Sequence, residues 1–324
     1  MRLNKTSRFM FVGAALAAGC TGDTGPQGPA GPPGGVDPNA PAIDKAFAGV
    51  GGRDAIAALA SFRIAASGER LMTLEGFVPE DDSVPVSTFT TDTAADVAGE
   101  RVRVAYQRTI PLFGAMKDYK VIIDGDVGVT DGVESVFGFP GGDLTSDRWA
   151  STLRQHRFLN PQLILRDVAL GAASATDAGL ALRDGELRHR IDVTDAVRPI
   201  SLFVDRYTGE ITDLATFEND FVAGDARLEV HYAGWRAWDD GAVRFPSEVL
   251  IALDDQAVHV ERRSAVATNV ALEDALFAFP AGASPDHVAA DAARGARNGQ
   301  FHESFAGLGV PLDGLQTFVD AQQL

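Results

Sequence analysis

"LTSDRWASTLRQHRFLNPQLILRDVAL", residues 144–170, decides the fold, because it is a helical block inside a chain otherwise patterned as strands. Ser146 is placed to cap a helix running through Trp149, Leu153 and His156. Asn160-Pro161 breaks that helix, and proline at a first helical position starts the next one. The second helix carries Leu163, Ile164, Val168 and Leu170, an apolar surface that has to be buried against something.

Alternation marks the flanks. Upstream, "SFRIAASGE" (61–69), "VPVSTFTTD" (84–92) and "RVRVAYQRTI" (101–110) read as strands. In the last of these Val102, Val104 and Tyr106 share one face, with Arg101, Arg103 and Gln107 on the other, as a period of two requires. "YKVIIDGDVGVTDG" (119–132) adds two short strands. Downstream, "LALRDGELRHRIDV" (180–193) holds Asp184-Gly185 between alternating runs, a strong two-residue turn signal. "ISLFVDRYTGEITDL" (200–214) repeats the pattern around Tyr207-Thr208-Gly209. Residues 226–266 supply four more runs, with turns at Asp240-Gly241 and Asp254-Asp255. "KAFAGVGGRDAIAALA" (45–60) predicts a helix carrying Ile56 and Leu59. The expected class is α+β, a large curved antiparallel sheet (a half-barrel) of about ten strands wrapped on two central helices. One domain is expected over 45–280, followed by a polar, partly helical connector over 281–324.

The amino terminus reads as an address. Residues 1–8 are basic and residues 9–18, "FMFVGAALAA", are apolar. That apolar run falls short of the ~20 residues a spanning helix needs and has the make-up of a secretory signal, here residues 1–19. The single cysteine of the chain, Cys20, stands at the cut site "ALAAGC". One cysteine excludes an intrachain disulfide and a cysteine-based zinc cluster. The cut site resembles the lipobox of bacterial lipoproteins, which implies that Cys20 is acylated and anchors the chain in a membrane. Ala17 stands where the lipobox usually has a branched residue. Thr21, rather than Asp, resembles the outer-membrane sorting pattern. From Gly22 to Pro33 glycine falls every third residue, a short collagen-like run. So few triplets cannot hold a trimer against chain entropy, so residues 20–44 read as a linker of extended polyproline character, at most ~75 Å long.

Composition narrows the function. The formal net charge of −17 argues against a phosphate backbone, so no nucleic-acid partner is expected. No G-x-S-x-G elbow and no phosphate loop occurs. None of the six histidines is spaced with another histidine or an acid as a zinc pair would be, so no metal, cofactor or catalytic residue is expected. "DGDVGVTDG" loosely resembles a calcium loop but lacks the terminal glutamate and reads as a hairpin. Glu261-Arg262-Arg263 reads as an exposed strand face. The aromatics are mostly core; Tyr106, Phe203, Tyr232 and Trp235 are the candidates to line a cavity for an apolar ligand.

The strand-rich start, the two-helix insert and the meandering hairpins resemble the half-barrel of the Lol lipoprotein-carrier superfamily. The stretches 101–111, 149–170, 201–220, 228–249 and 298–324 are similar to a domain that precedes the zinc hydrolase domain in certain exported metallo-β-lactamase-fold proteins. The His-x-His-x-Asp-His zinc signature of that hydrolase is absent, so no catalytic residue carries over. The resemblance implies an envelope protein with one of two roles. In the first, it binds a lipid-like ligand or a partner and is non-enzymatic by itself. In the second, it is the forward accessory domain of a metallo-hydrolase, truncated or encoded apart from its catalytic domain.

Overall fold

The computed structural model describes residues 36–293, apart from 38, 73–82, 112–113, 135–140, 195–198, 221–223 and 284. The expected signal peptide (1–19), Cys20, most of the expected linker (20–44) and the end of the expected connector (281–324) lie outside the described residues.

Two short helices, α1 (Ala42–Gly49) and α2 (Arg53–Ala57), stand where one helix was expected over 45–60. The break falls at Gly51 and Gly52, whose φ values of 115° and 107° no helix accommodates. Strands β1 (Ser61–Met72), β2 (Val84–Asp96), β3 (Arg101–Ile110), β4 (Ala115–Asp124) and β5 (Val127–Gly132) then run outward as a meander. Helices α3 (Ser146–Leu159) and α4 (Pro161–Leu170) carry the chain to the far edge of the sheet. From there β6 (Ser174–Arg183), β7 (Glu186–Thr194), β8 (Pro199–Val204), β9 (Ile211–Asp220) and β10 (Gly224–Ala233) meander back. A detached ribbon, β11 (Arg236–Ala237) and β12 (Arg244–Phe245), precedes β13 (Glu248–Leu253) and β14 (Gln256–Thr268).

The main sheet has twelve antiparallel strands in the order β5-β4-β3-β2-β1-β14-β13-β10-β9-β8-β7-β6, against the ten or so expected. The sheet is open, with β5 and β6 at its edges. The β1–β14 ladder joins the first meander to the second, with Phe62 facing Thr268 and Ile64 facing Val266.

The two-helix insert begins and ends on local signals. Thr145, one residue before the expected Ser146, caps α3 by accepting from the Arg148 N–H at 3.4 Å. Pro161 opens α4, and Gly171 closes it with a left-handed φ of 76°. Both helices pack on one face of the sheet. Ile164 and Leu165 are wholly buried there, as are Phe62 and Leu202 from the strands. Each such side chain contributes about 1.5–3 kcal/mol on burial. Polar handles fix the orientation: the Tyr232 hydroxyl donates to the Phe158 carbonyl, and Gln162 Nε2 donates to the Arg244 carbonyl at 2.7 Å.

Candidate functional site

Antiparallel register determines which side chains meet on the helix-bearing face. On β14, His259, Glu261 and Arg263 alternate with Val260 and Arg262 and turn inward. All three are buried, while Arg262 is exposed. Their partners on β1 are Arg70, Gly68 and Ala66. β2 continues the rows with Ser87, Phe89 and Thr91, and β3 sets Arg108 against Phe89 and Tyr106 against Thr91. Gly68 is needed at its place, because a Cβ there would meet the Val260 carbonyl at 1.9 Å and the Phe89 ring at 2.5 Å.

Between this surface and α3 lies a narrow, open-mouthed cleft with a volume of about 40 Å³. Ile64, Val102, Val104, Ile123 and Leu159 form its apolar wall. His156, Asn160, His259, Glu261 and Arg263 form its polar wall.

The polar wall is buried and incompletely paired. The Arg263 side chain is 0% exposed. Its Nε donates to Glu261 Oε1 at 2.9 Å and its Nη2 to the Leu159 carbonyl at 2.6 Å, while Nη1 has no partner. Burial raises the Glu261 carboxyl, but the Arg263 guanidinium and the neighbouring His259 ring together outweigh it and bring the value down to about 2. His259 stacks on Phe89 with centroids 5.1 Å apart. Its Nε2 lies 3.8 Å from Glu261 Oε2, beyond hydrogen-bond reach, and neither ring nitrogen has a hydrogen-bond partner. His156 stacks on Phe62 at 5.6 Å; burial, with Arg263 nearby, lowers it to about 4, so it is neutral at pH 7. Asn160 Nδ2 donates to the His156 carbonyl at 2.9 Å, and its Oδ1 is unpartnered. A buried polar atom without a partner costs about 1–3 kcal/mol, so several around one space mark a place where a polar group is accommodated.

A second polar layer adjoins the cleft. Tyr106 and Tyr119 stack at 4.8 Å, and the Arg70 guanidinium lies 5.8 Å from the Tyr106 ring centre. Arg108 Nε donates to Ser87 Oγ at 2.8 Å. Arg148 donates through one nitrogen to both oxygens of Glu134 at 2.7 Å. Burial raises both tyrosine hydroxyls above their ordinary value.

Of the four aromatics picked from the sequence, Tyr106 lines the cleft. Tyr232 and Trp235 sit in the core, and the indole of Trp235 donates to the Ile211 carbonyl at 2.8 Å. Phe203 alternates away from core residues Leu202 and Val204 and lies beneath the Arg183 guanidinium at 4.6 Å. The structure does not bring these four together. It corrects the reading of Glu261-Arg262-Arg263 as an exposed face: only Arg262 is exposed, and its neighbours are held inside by their mutual ion pair. Alternation in "VHVERRSAV" puts His259, Glu261 and Arg263 on one face, but with Val258 and Val260 on the other that face reads as the solvent side.

The opposite face carries its own network. Asp213 accepts from His231 Nδ1 at 2.6 Å and pairs with Arg188, and Glu229 pairs with Arg183 and Arg227. Asp184, Asp213 and His231 place one potential ligand atom each within 4.8 Å of one another, a cross-strand grouping that linear spacing does not reveal. Asp213 is already engaged on both oxygens by His231 and Arg188.

No family model matches the chain, and no curated protein matches it. Among solved structures it is similar to a LolA superfamily protein from Nitrosomonas europaea, at 14% identity over 74% of this chain and 98% of that one, TM-score 0.44. It is similar to a DUF1329 family protein from Desulfovibrio piger, at 12% identity over 74% and 96%, TM-score 0.48. The lipoprotein LppX of Mycobacterium tuberculosis matches at 12% identity over 72% and 97%, TM-score 0.26. These are distant likenesses of fold, from which nothing about ligand or activity follows. The link to metallo-β-lactamase-fold hydrolases finds no support in them.

Proposed function

We propose that the chain is an exported, lipid-anchored protein of the bacterial cell envelope whose open sheet and α3 hold an apolar or lipid-like ligand, with no chemistry of its own. The observation that carries this reading is the cleft: one wall is aliphatic, and the other presents buried, unpartnered polar atoms. An amphiphile satisfies both walls at once. The Gly-Pro-rich linker over 20–44 then serves as a leash between the membrane and a half-barrel domain over 45–280. The lipobox-like setting of Cys20 supports the anchor, and Thr21 in place of Asp supports the outer membrane as its site.

The test is direct. Organic extraction of the purified protein yields co-purifying lipid, or saturated acyl ligands raise its Tm, since a ligand that binds only the folded state stabilises it. Absence of both across a chain-length series overturns the reading. For the anchor, Cys20→Ser leaves the protein unprocessed and unacylated; unchanged migration and fractionation would remove the lipobox from the account. The alternative, an accessory domain of a zinc hydrolase, rests on the sequence resemblance alone. Recovery of hydrolysis on mixing with a separately encoded catalytic domain would favour it.

A further inference from the structure

Beside the polar wall of the cleft, in the adjoining layer of Arg70, Arg108, Arg148 and Glu134, lies an excess of positive charge, and we propose that Arg70 and Arg108 of that layer, with His259 and Arg263 of the wall, form a binding site for an anionic head group of carboxylate or phosphate type. This rests on the ligand reading above and names the chemistry of the ligand's polar end.

Charge comes first. Linked electrostatically here, directly or through Tyr106 and Tyr119, are the guanidinium groups of Arg70, Arg108, Arg148 and Arg263 and the carboxylates of Glu134 and Glu261. Lys117 stands opposite Arg108 in the β3–β4 register. Arg148 is matched by Glu134, and Arg263 by Glu261. Among the described residues, Arg70 and Arg108 have no carboxylate at ion-pair distance: Arg70 has the Tyr106 ring, and Arg108 has the Ser87 hydroxyl. In a chain of net charge −17, two half-buried cations left side by side are out of keeping with the surface at large. Burial, then the neighbouring Arg70 cation, holds the Arg108 guanidinium below its ordinary value. An anion between them relieves that repulsion; a neutral group does not.

Hydrogen bonding points to the same place. Arg263 Nη1, both ring nitrogens of His259 and the Tyr119 hydroxyl are buried without partners, in residues 5%, 6% and 3% exposed. Arg70 is the register partner of His259, and Arg108 is the register partner of Phe89, which stacks on His259. An oxyanion accepts from guanidinium, imidazole and phenol donors together, which a hydroxyl or an ester cannot match. The aliphatic wall of Ile64, Val102, Val104 and Leu159 continues from this end, so head and tail of one molecule have separate places.

Calorimetric titration of the protein with dodecanoate, dodecyl phosphate, 1-dodecanol and inorganic phosphate, at one pH and ionic strength, tests the site. The two anionic amphiphiles are expected to bind about tenfold or more tightly than the alcohol. Arg70→Gln combined with Arg108→Gln is expected to bring that preference toward one. Equal affinity for acid and alcohol in the wild type overturns the anion site and leaves the ligand reading standing. Binding by none of the four overturns both. Inorganic phosphate binding as tightly as dodecyl phosphate keeps the anion site and removes the apolar part. Should the double variant not fold, the wild-type comparison of acid with alcohol decides alone.

Discussion

Arg263 Nη2, on β14 in the interior of the sheet, donates to the Leu159 carbonyl at the end of α3 across 2.6 Å. A cation thus meets the negative end of a helix, a favourable placement that burial strengthens. The same guanidinium is held by Glu261. Glu261→Gln is therefore expected to cost about 3–5 kcal/mol, because it leaves a buried cation uncompensated. Glu261→Gln with Arg263→Met should cost clearly less than the sum of the two single variants. Urea unfolding of the four proteins measures the coupling, and strict additivity would show that the pair does not act as a unit. With Glu261 at about 2 in the fold and its ordinary value at 4.5, the pair's contribution is fully present above pH 4.5 and is lost as pH falls through about 2.

His156 predicts a second pH dependence. It is buried against Phe62, and its folded value is about 4, below the ordinary 6.5. Between those values the unfolded chain binds the proton and the folded chain does not. Stability therefore falls as pH drops from 6.5 to 4, by of order 3 kcal/mol, and no further below that. His156→Phe keeps a ring on Phe62 and carries no proton. Its unfolding free energy should lack that slope; an identical slope in both proteins would assign the effect to other groups.

The parts that were legible in the sequence are those set locally. Asp184-Gly185 and Asp254-Asp255 turn hairpins because these residues tolerate the positive φ values of 49°, 83°, 46° and 69° found there. Asn160-Pro161 separates α3 from α4 because proline cannot continue a helix but can begin one. What stayed hidden depends on partners far along the chain. Nothing local to Phe62 says that Thr268 will lie beside it, yet this pairing joins the two meanders into one sheet. The polar wall escaped for a related reason. Charged residues in a strand read as solvent-facing, and only the cross-strand neighbours of Glu261 and Arg263 reveal that their ion pair lets them turn inward. Tyr106 was found because its alternation with Val102 and Val104 is unbroken by charge on that face.

Gly49 gives a steric prediction. The end of α1 rests on the β8–β9 turn so closely that a Cβ at Gly49 would lie 2.0 Å from the Gly209 carbonyl oxygen and 2.2 Å from its carbon. Both atoms are main chain and cannot swing aside. Gly49→Ala is expected to destabilise the protein by about 1–3 kcal/mol, as overpacking does elsewhere. Gly142→Ala serves as the control, since a Cβ there meets nothing within 4 Å. Its effect should stay within about 0.5 kcal/mol. Thermal and urea unfolding of both variants measure the difference, and equal effects would mean that the α1 contact is slack.

His231 predicts a slope opposite in sign to that of His156. Its Nδ1 lies 2.6 Å from buried Asp213, and that hydrogen bond raises the imidazole above its ordinary value of 6.5 despite partial burial. The folded chain therefore holds the proton where the unfolded chain has released it. The stabilisation is fully present below pH 6.5 and is lost as pH rises through the raised folded value. His231→Gln keeps a polar side chain opposite Asp213 without the titratable proton. The difference in unfolding free energy between wild type and His231→Gln should be largest near pH 5.5 and shrink on the alkaline side. The side chain is 37% exposed, so raising the salt concentration should also shrink the difference. If the difference instead grows as pH rises, His231 is neutral in the fold, and Arg188 alone balances Asp213.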